Sequence, residues 1–335
     1  MRKIWWTWDI RMRWAPGFSS TRESFVANYR RAIDAAGKYG VEGIVIWGFL
    51  RDRHGGIDAA REVVEYARHK GIAVLPGVGI DDYGGVYYQG DSPYSLDTYI
   101  RAHPEAQARN EDGTPQVHRW PPTDTDARLK ACPSDERVVE FYCTSLAWLV
   151  ETFGLEGFQI EQGDSGVCFC ERCRARDRRI MTLDHDDKPR ISLEDAAVRI
   201  PAVVEAVLPQ RGDCTIITET YSGLLPRQIE QMAPFVEKYP DDFYISWQLY
   251  DGVGRFKVDD ESRSPSPHGC AALRTNNDRS GGEVDDRENI GRALDLSRKA
   301  GLDMTYIYGE YADDRAVTRG NYDAWSEGAG GGSNR

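Results

Sequence analysis

One junction recurs four times along the chain and constrains its fold more than any other feature. A helix-like segment ends at glycine and, after a short connection, enters a run of β-branched or aromatic residues, at 38–47, 69–79, 152–161 and 299–310. Glycine suits the end of a helix because it tolerates the left-handed backbone needed there. Repeated helix-to-strand joints are typical of βα units. The sequence therefore predicts a parallel sheet built from such units.

Eight strands can be placed around these joints, which predicts a single-domain (β/α)8 TIM barrel over residues 1–327. The predicted strands are 3–8, 43–47, 72–78, 157–161, 215–219, 243–249, 270–274 and 304–308. A length of 335 residues, 40% of them hydrophobic, suits one barrel of this kind. If 270–274 is not a strand, the predicted strand before Glu310 becomes the seventh strand of the barrel. The glycine-rich residues 328–335 are predicted to form a disordered tail.

The segments between the strands predict the helices and two unusual loops. The predicted helices are 24–38, 57–69, 135–153, 193–207, 226–238, 286–300 and 321–326. A long loop, 79–134, follows the third strand, and loops of that length are usually functional. A loop rich in cysteine and glycine follows the fourth strand.

The predicted strands end in acids, aromatic residues and one arginine. These strand-end residues include Asp9, Trp47, Asp82, Glu161, Glu219, Trp247, Arg274 and Glu310. Barrel enzymes place their active sites at the carboxyl ends of the strands. Histidine is missing from all these positions, whereas metal-dependent hydrolases and sugar isomerases use it there beside carboxylates. The pattern favours glycoside cleavage, in which one acid protonates the leaving oxygen and a second acts as nucleophile or base.

Three cysteines are spaced C-x-C-x-x-C in the loop after the fourth strand, at Cys168, Cys170 and Cys173. The seven cysteines of the chain cannot all pair, which favours free thiols or a metal over a disulfide framework. A structural zinc ion takes four ligands, and Cys132 or Cys143 could supply the fourth. A disulfide within the loop and three reduced thiols are the alternatives.

Three local patterns resemble the glycoside-hydrolase-like (β/α)8 proteins. They are HPE at 103–105 followed by DG at 112–113, ACPS at 131–134, and the stretch 157–174 with its C-x-C-x-x-C-R. The last is similar to domains placed near α-glucuronidases and to related bacterial families. Together the patterns span 72–174, about a third of the chain. The resemblance implies a sugar-active barrel and places the general acid, after the fourth strand, at Glu161 or Asp164.

The resulting hypothesis is a glycoside hydrolase that cleaves an oligosaccharide or polysaccharide and requires no cofactor for catalysis. Glu161 is the expected general acid, and Glu219 or Glu310 the expected nucleophile or base. The expected substrate contacts are acids that bind sugar hydroxyls and aromatic rings that stack on sugar rings. They also include an arginine that stabilises charge or binds the carboxylate of a uronic acid. They are Asp9, Asp82, Asp164, Trp47, Trp247, Tyr311 and Arg274.

Two other functions remain open. A non-catalytic carbohydrate-binding barrel predicts that the strand-end acids pair with arginines. A metal-dependent sugar isomerase or epimerase predicts a divalent ion held by Glu161, Glu219, Glu310 and a loop histidine such as His118.

Charge and hydropathy exclude some partners. A formal net charge of −12 argues against a nucleic-acid or anionic-membrane surface. No apolar run approaches the ~20 residues of a membrane span. Trp5 and Trp6 follow the amino-terminal basic residues where a signal peptide would have an apolar core. We therefore expect a cytoplasmic protein, or one whose leader has been removed.

Overall fold

The structure is a computed structural model that describes most of the chain. It describes residues 1–118, 128–161, 167–175, 181–183, 189–207, 214–219, 224–226, 230, 233–234, 236–237, 243–250, 254–273 and 284–330, without the side chains of 118, 181–198 and 206. Among these residues, no helix is long and apolar enough to cross a membrane.

Eight parallel strands close into a barrel in the order β1-β8-β7-β6-β5-β4-β3-β2. The strands are β1 (Arg2–Trp8), β2 (Gly43–Trp47), β3 (Ala73–Gly79), β4 (Gly157–Glu161), β5 (Thr215–Glu219), β6 (Phe243–Tyr250), β7 (Gly269–Leu273) and β8 (Met304–Tyr308). β1 closes the barrel by pairing with both β2 and β8. The (β/α)8 TIM barrel predicted from the repeated joints is confirmed, and because β7 is a strand, Glu310 follows the eighth.

Helices cover the outside of the barrel and connect its strands. They are α1 (Arg22–Ala36), α2 (Gly56–His69), α3 (Leu96–Ala102), α4 (Glu136–Phe153), α5 (Glu171–Arg174), α6 (Leu193–Val207), α7 (Arg287–Ala300) and α8 (Ala316–Gly330). The predicted helix 226–238 falls largely outside the described residues. Helix α8 is longer than the predicted 321–326 and continues through Gly330, so the predicted disordered tail is wrong for residues 328–330.

Alternation along the strands divides the buried side chains into two cores. Side chains at every second position, such as Ile4, Trp6 and Trp8 of β1, fill the barrel interior. The intervening positions pack against the helices and form the larger outer core. Successive residues of a strand point to opposite faces, so a shift of one residue moves a side chain from one core to the other. This rule decides which strand-end acids reach the barrel mouth.

Two short antiparallel strand pairs lie outside the barrel. Val117–His118 pairs with Arg128–Leu129 within the long loop after β3, and Met181–Leu183 pairs with Pro189–Ser192 before α6. The first pair brings two parts of the long loop side by side.

Candidate active site

Two glutamates, Glu161 and Glu219, lie side by side at the carboxyl ends of neighbouring strands. Ile160 of β4 pairs with Thr218 of β5, so the two glutamates that follow stand at the same level. Both continue the inward-facing positions, since Ile217, two residues before Glu219, belongs to the interior core. Each is only 5% exposed. The structure therefore brings two predicted catalytic acids together at the barrel mouth.

The carboxylate of Glu219 has one oxygen held and one available. The Tyr306 hydroxyl of β8 donates a hydrogen bond to Glu219 Oε2 from across the barrel. Glu219 Oε1 is buried and has no hydrogen-bond partner among the described residues. Buried polar atoms in proteins are normally satisfied, by water or ligand if not by protein. This oxygen is thus placed to receive a hydrogen bond from a sugar or a water molecule.

A glutamine and two tryptophans form the floor beneath the glutamates. The indole Nε1 atoms of Trp6 and Trp47 each donate a 2.8 Å hydrogen bond to Gln159 Oε1. A Cβ at Gly77 would overlap the Trp47 indole, so glycine there makes room for that ring. Gln159 was not among the predicted site residues. Its signal was a polar side chain inside an apolar strand, two residues before a candidate acid and therefore on the same face.

The long loop after β3 adds Tyr83, Tyr88 and Arg128, and Arg51 joins them from the segment after β2. Tyr83 and Tyr88 join the interior core, and the Tyr83 ring packs edge-on against Trp47 at 5.6 Å. Tyr83 has a positive φ of 54°, uncommon for a residue other than glycine. The guanidinium groups of Arg51 and Arg128 lie 4.1 and 4.9 Å from the centre of the Tyr88 ring. Sequence reasoning identified this loop as functional without identifying these side chains.

Asp9 and Glu310 turn away from the mouth and enter the outer core. Asp9 is fully buried, 2.9 Å from Arg51 Nε and 3.4 Å from His54 Nε2. Glu310, also fully buried, accepts a 2.9 Å hydrogen bond from the Trp8 amide. Burial and the nearby negative charges of Asp9 and then Glu310 raise the pKa of Tyr29 in α1 well above its ordinary value. These surroundings favour a structural role for both acids, whereas the sequence predicts Asp9 as a substrate contact and Glu310 as nucleophile or base.

Three other predicted contact residues are also held within the protein. Trp247, expected as a sugar platform, is fully buried in the outer core, where residue 247 faces the helices, so the structure does not bring it to the barrel mouth. Asp82 is fully buried and accepts a 2.7 Å hydrogen bond from the Tyr83 amide. The Tyr311 ring, 2% exposed, lies between Arg13 and Arg315. Of the predicted platforms, Trp47 alone faces the barrel interior. The candidates Asp164 and Arg274 lie outside the described residues.

Four cysteines form the one group of described side chains close enough together to hold a metal ion. Cys132 joins Cys168, Cys170 and Cys173, with the four sulfurs within 4.8 Å of one another. Cys143 lies elsewhere on α4, with its sulfur 3.8 Å from the Ala202 carbonyl. Among the described side chains, Glu161, Glu219 and Glu310 do not form a group close enough to hold the metal ion of the isomerase hypothesis, and the side chain of His118 lies outside the described part of the chain.

Comparisons with solved structures place this fold among glycoside hydrolase barrels. An α-amylase from Anoxybacillus has a TM-score of 0.58 at 8% identity, with 98% of this chain and 78% of that one covered. An α-amylase from Geobacillus thermoleovorans, solved with acarbose, has a TM-score of 0.55 at 10% identity and the same coverage. An α-amylase from Malbranchea cinnamomea has a TM-score of 0.51 at 14% identity, covering 98% and 73%.

At these identities the similarity shows the fold alone. No family model matches the sequence, and no curated protein matches it. The chain therefore shares a (β/α)8 barrel fold with these α-amylases. The expected relation to α-glucuronidases stays a prediction.

Proposed function

We propose that this protein is a glycoside hydrolase that cleaves an oligosaccharide or polysaccharide through Glu161 and Glu219. The observation that carries the proposal is the pair of inward-facing acids at the same level on β4 and β5. Glycoside cleavage needs two carboxyl groups that flank the scissile bond. The indoles of Trp6 and Trp47 below them offer the apolar surface on which sugar rings pack.

The two acids take different roles in this proposal. Glu161 is the general acid that protonates the leaving oxygen. Glu219 is the nucleophile, because the Tyr306 hydroxyl holds one of its oxygens and leaves Oε1 to attack the anomeric carbon. Glu310, the other expected partner of Glu161, is engaged with the Trp8 amide in the outer core.

The spacing of the strands supports a retaining reaction. Neighbouring strands lie about 4.8 Å apart, so the backbones at Glu161 and Glu219 are separated by about that distance, and side chains that run parallel from them would hold their carboxyl groups at a similar separation. Retaining enzymes hold their carboxyl groups ~5–5.5 Å apart, whereas inverting enzymes leave ~6.5–9.5 Å for a water molecule. The first product observed by NMR should therefore have the same anomeric configuration as the substrate. An inverted first product would contradict the assignment of Glu219 as nucleophile.

Reducing-sugar release from a glycan panel tests the activity. Because several proteins with this fold are α-amylases by name, α-amylase substrates belong on the panel beside glycans that contain uronic acids. We expect Glu161→Gln to lower the rate on the active glycan by ~10²-fold or more, a typical contribution of a general acid. Glu310→Gln, the same change at a strand end that faces outward, should lower it by less than about tenfold.

An activated substrate separates the two roles. An aryl glycoside with a good leaving group needs no protonation in the first step, so Glu161→Gln should recover much of its kcat/KM on it. Its kcat should stay low, because Glu161 also acts as the base that activates the water molecule in the second step. Glu219→Gln should stay inactive, because the nucleophile is needed with any leaving group.

The binding-barrel alternative retains one supporting observation, the ion pair between Asp9 and Arg51. It predicts that a sugar of the panel binds without being cleaved. Binding by calorimetry with no product from wild-type protein would favour it over hydrolysis.

A further inference from the structure

The four-cysteine group joins two segments that are distant in sequence. Cys132 precedes α4 at the end of the long loop after β3, and its amide donates a 2.7 Å hydrogen bond to the Ala106 carbonyl. The other three cysteines lie after β4, with Cys173 inside the short helix α5. Nothing in the barrel itself requires these two segments to meet.

The sulfur positions match those of a tetrahedral metal site. Cys132 Sγ lies 3.6 Å from the sulfurs of Cys170 and Cys173 and 3.8 Å from that of Cys168. Four sulfurs about 2.3 Å from a central zinc ion would be about 3.8 Å from one another. A disulfide would instead bring two sulfurs to about 2.05 Å. None of the seven cysteines, all of which lie within the described residues, forms a disulfide.

The surroundings of the sulfurs are closed and polar. Cys132, Cys168 and Cys173 are buried, and Cys170 is half-buried. The backbone amide of Arg109 donates to Cys168 Sγ over 3.3 Å, and Ser134 Oγ lies 2.9 Å from Cys173 Sγ. Structural zinc sites have four protein ligands and no open position, and groups around them orient the ligands.

We propose that Cys132, Cys168, Cys170 and Cys173 bind one structural zinc ion. Four thiols lose four protons to bind Zn²⁺, which leaves a centre with a net charge of −2 and involves no redox change. A set of four thiolates in a tetrahedron selects zinc or iron, and zinc suits a site with no redox task.

Hydrogen bonds connect the zinc site to the segment that follows β3 and to Glu161. Arg199 of α6 donates hydrogen bonds to the carbonyl of Cys132, to the carboxylate of Asp81 and, over 3.0 Å, to the carbonyl of Ile80. The Ile80 amide in turn donates a 2.6 Å hydrogen bond to the carbonyl of Glu161. A continuous set of contacts therefore links the cysteines to the carboxyl ends of β3 and β4.

Metal analysis of the purified protein tests the site without reference to activity. Wild-type protein prepared with reductant and without chelator should contain about one zinc per chain. Four of its seven thiols should react with a thiol-specific reagent only after the zinc has been removed.

A matched pair of variants assigns the ligands. Cys170→Ser and Cys143→Ser make the same change at two half-buried cysteines, one inside the group and one outside it. Cys170→Ser should lose most of the zinc and lower the Tm by roughly 5 °C or more, whereas Cys143→Ser should keep the full content.

X-ray absorption on wild-type protein settles the ligands if Cys170→Ser does not fold. Four sulfur neighbours at about 2.3 Å would support the site. Wild-type protein without bound zinc, with stoichiometric iron, or with a disulfide among these cysteines would overturn it. Because metal content is measured apart from hydrolysis, either proposal can fail alone.

Discussion

Two pairs of acids lie at the carboxyl ends of barrel strands. One pair faces the barrel interior, and the other lies in the outer core between the strands and the helices. Glu161 and Glu219 end β4 and β5 in the barrel interior, above two indoles and a glutamine. Asp9 and Glu310 follow β1 and β8 but lie in the outer core, where Asp9 pairs with Arg51. An acid at the end of a barrel strand is therefore not by itself a catalytic candidate. The face towards which it points decides whether it can meet a substrate.

The largest effect on stability should come from the outward pair. In Asp9→Asn the side chain keeps its shape but loses the charge that faces the buried Arg51 guanidinium 2.9 Å away. Removing one partner of a buried ion pair costs about 3–5 kcal/mol. Denaturant unfolding should show a loss of that size, whereas Asp260→Asn, the same change at an exposed aspartate, should leave the midpoint nearly unchanged. Equal stabilities would remove the structural role assigned to Asp9.

A smaller loss should follow from changing the floor of the site. Gln159→Met leaves the indole N–H groups of Trp6 and Trp47 buried without their common acceptor. An unsatisfied buried donor costs about 1–3 kcal/mol, and we expect a total near 2 kcal/mol because the two indoles can partly rearrange. Gln107→Met, at a half-buried glutamine whose side chain donates a hydrogen bond to the Gln116 carbonyl, serves as the control in the same unfolding experiment. No difference between the two variants would show that Gln159 does not hold the indoles.

A moderate effect on rate, not on stability, should come from Tyr306. Tyr306→Phe removes the hydroxyl that orients Glu219, so kcat/KM should fall about tenfold, the equivalent of ~1.4 kcal/mol. Tyr244→Phe, at the amino end of the barrel, should keep the wild-type value. If both variants keep full activity, the Tyr306 hydroxyl does not position the nucleophile.

The smallest effect is expected at the surface. Lys299 and Asp260 form an ion pair in which the two side chains are 56% and 74% exposed. Solvent and salt screen such pairs, so Lys299→Ala should leave the Tm within about 1 °C of wild type. Differential scanning calorimetry at low and high salt measures the Tm of this variant and of wild type. A change as large as that of Asp9→Asn would mean that burial does not separate the two classes of acid.

Much of the barrel could be predicted from local pattern. The predicted ranges 43–47, 157–161, 215–219 and 304–308 coincide with β2, β4, β5 and β8, because glycine marks each joint or a short apolar run marks each strand. The alternation of inward-facing and outward-facing residues along β1 and β6 also predicts that Asp9 and Trp247 face outward. The position of a residue at a strand end does not by itself indicate which face it takes.

Other features depend on tertiary structure. Glu310 follows Gly309, where β8 has already ended, so alternation no longer predicts the face of its side chain. The sequence offers Cys132 and Cys143 as the fourth ligand of a metal bound by the cysteine loop. Only the folded path of the long loop shows that Cys132 is the one near the other three cysteines. The donors to Gln159 come from β1 and β2, and no local pattern in β4 identifies them.

We propose that Glu161 and Glu219, the inward pair, perform the chemistry while Asp9 and Glu310, the outward pair, support the fold. The most direct test measures kcat/KM and Tm together for Glu219→Gln and Asp9→Asn on the glycan that wild-type protein cleaves. We expect Glu219→Gln to lose at least ~10²-fold in kcat/KM with a Tm close to wild type. For Asp9→Asn we expect the reverse, a lower Tm with most of the activity kept below that temperature. A fully active Glu219→Gln protein would contradict the role of the inward pair in the chemistry.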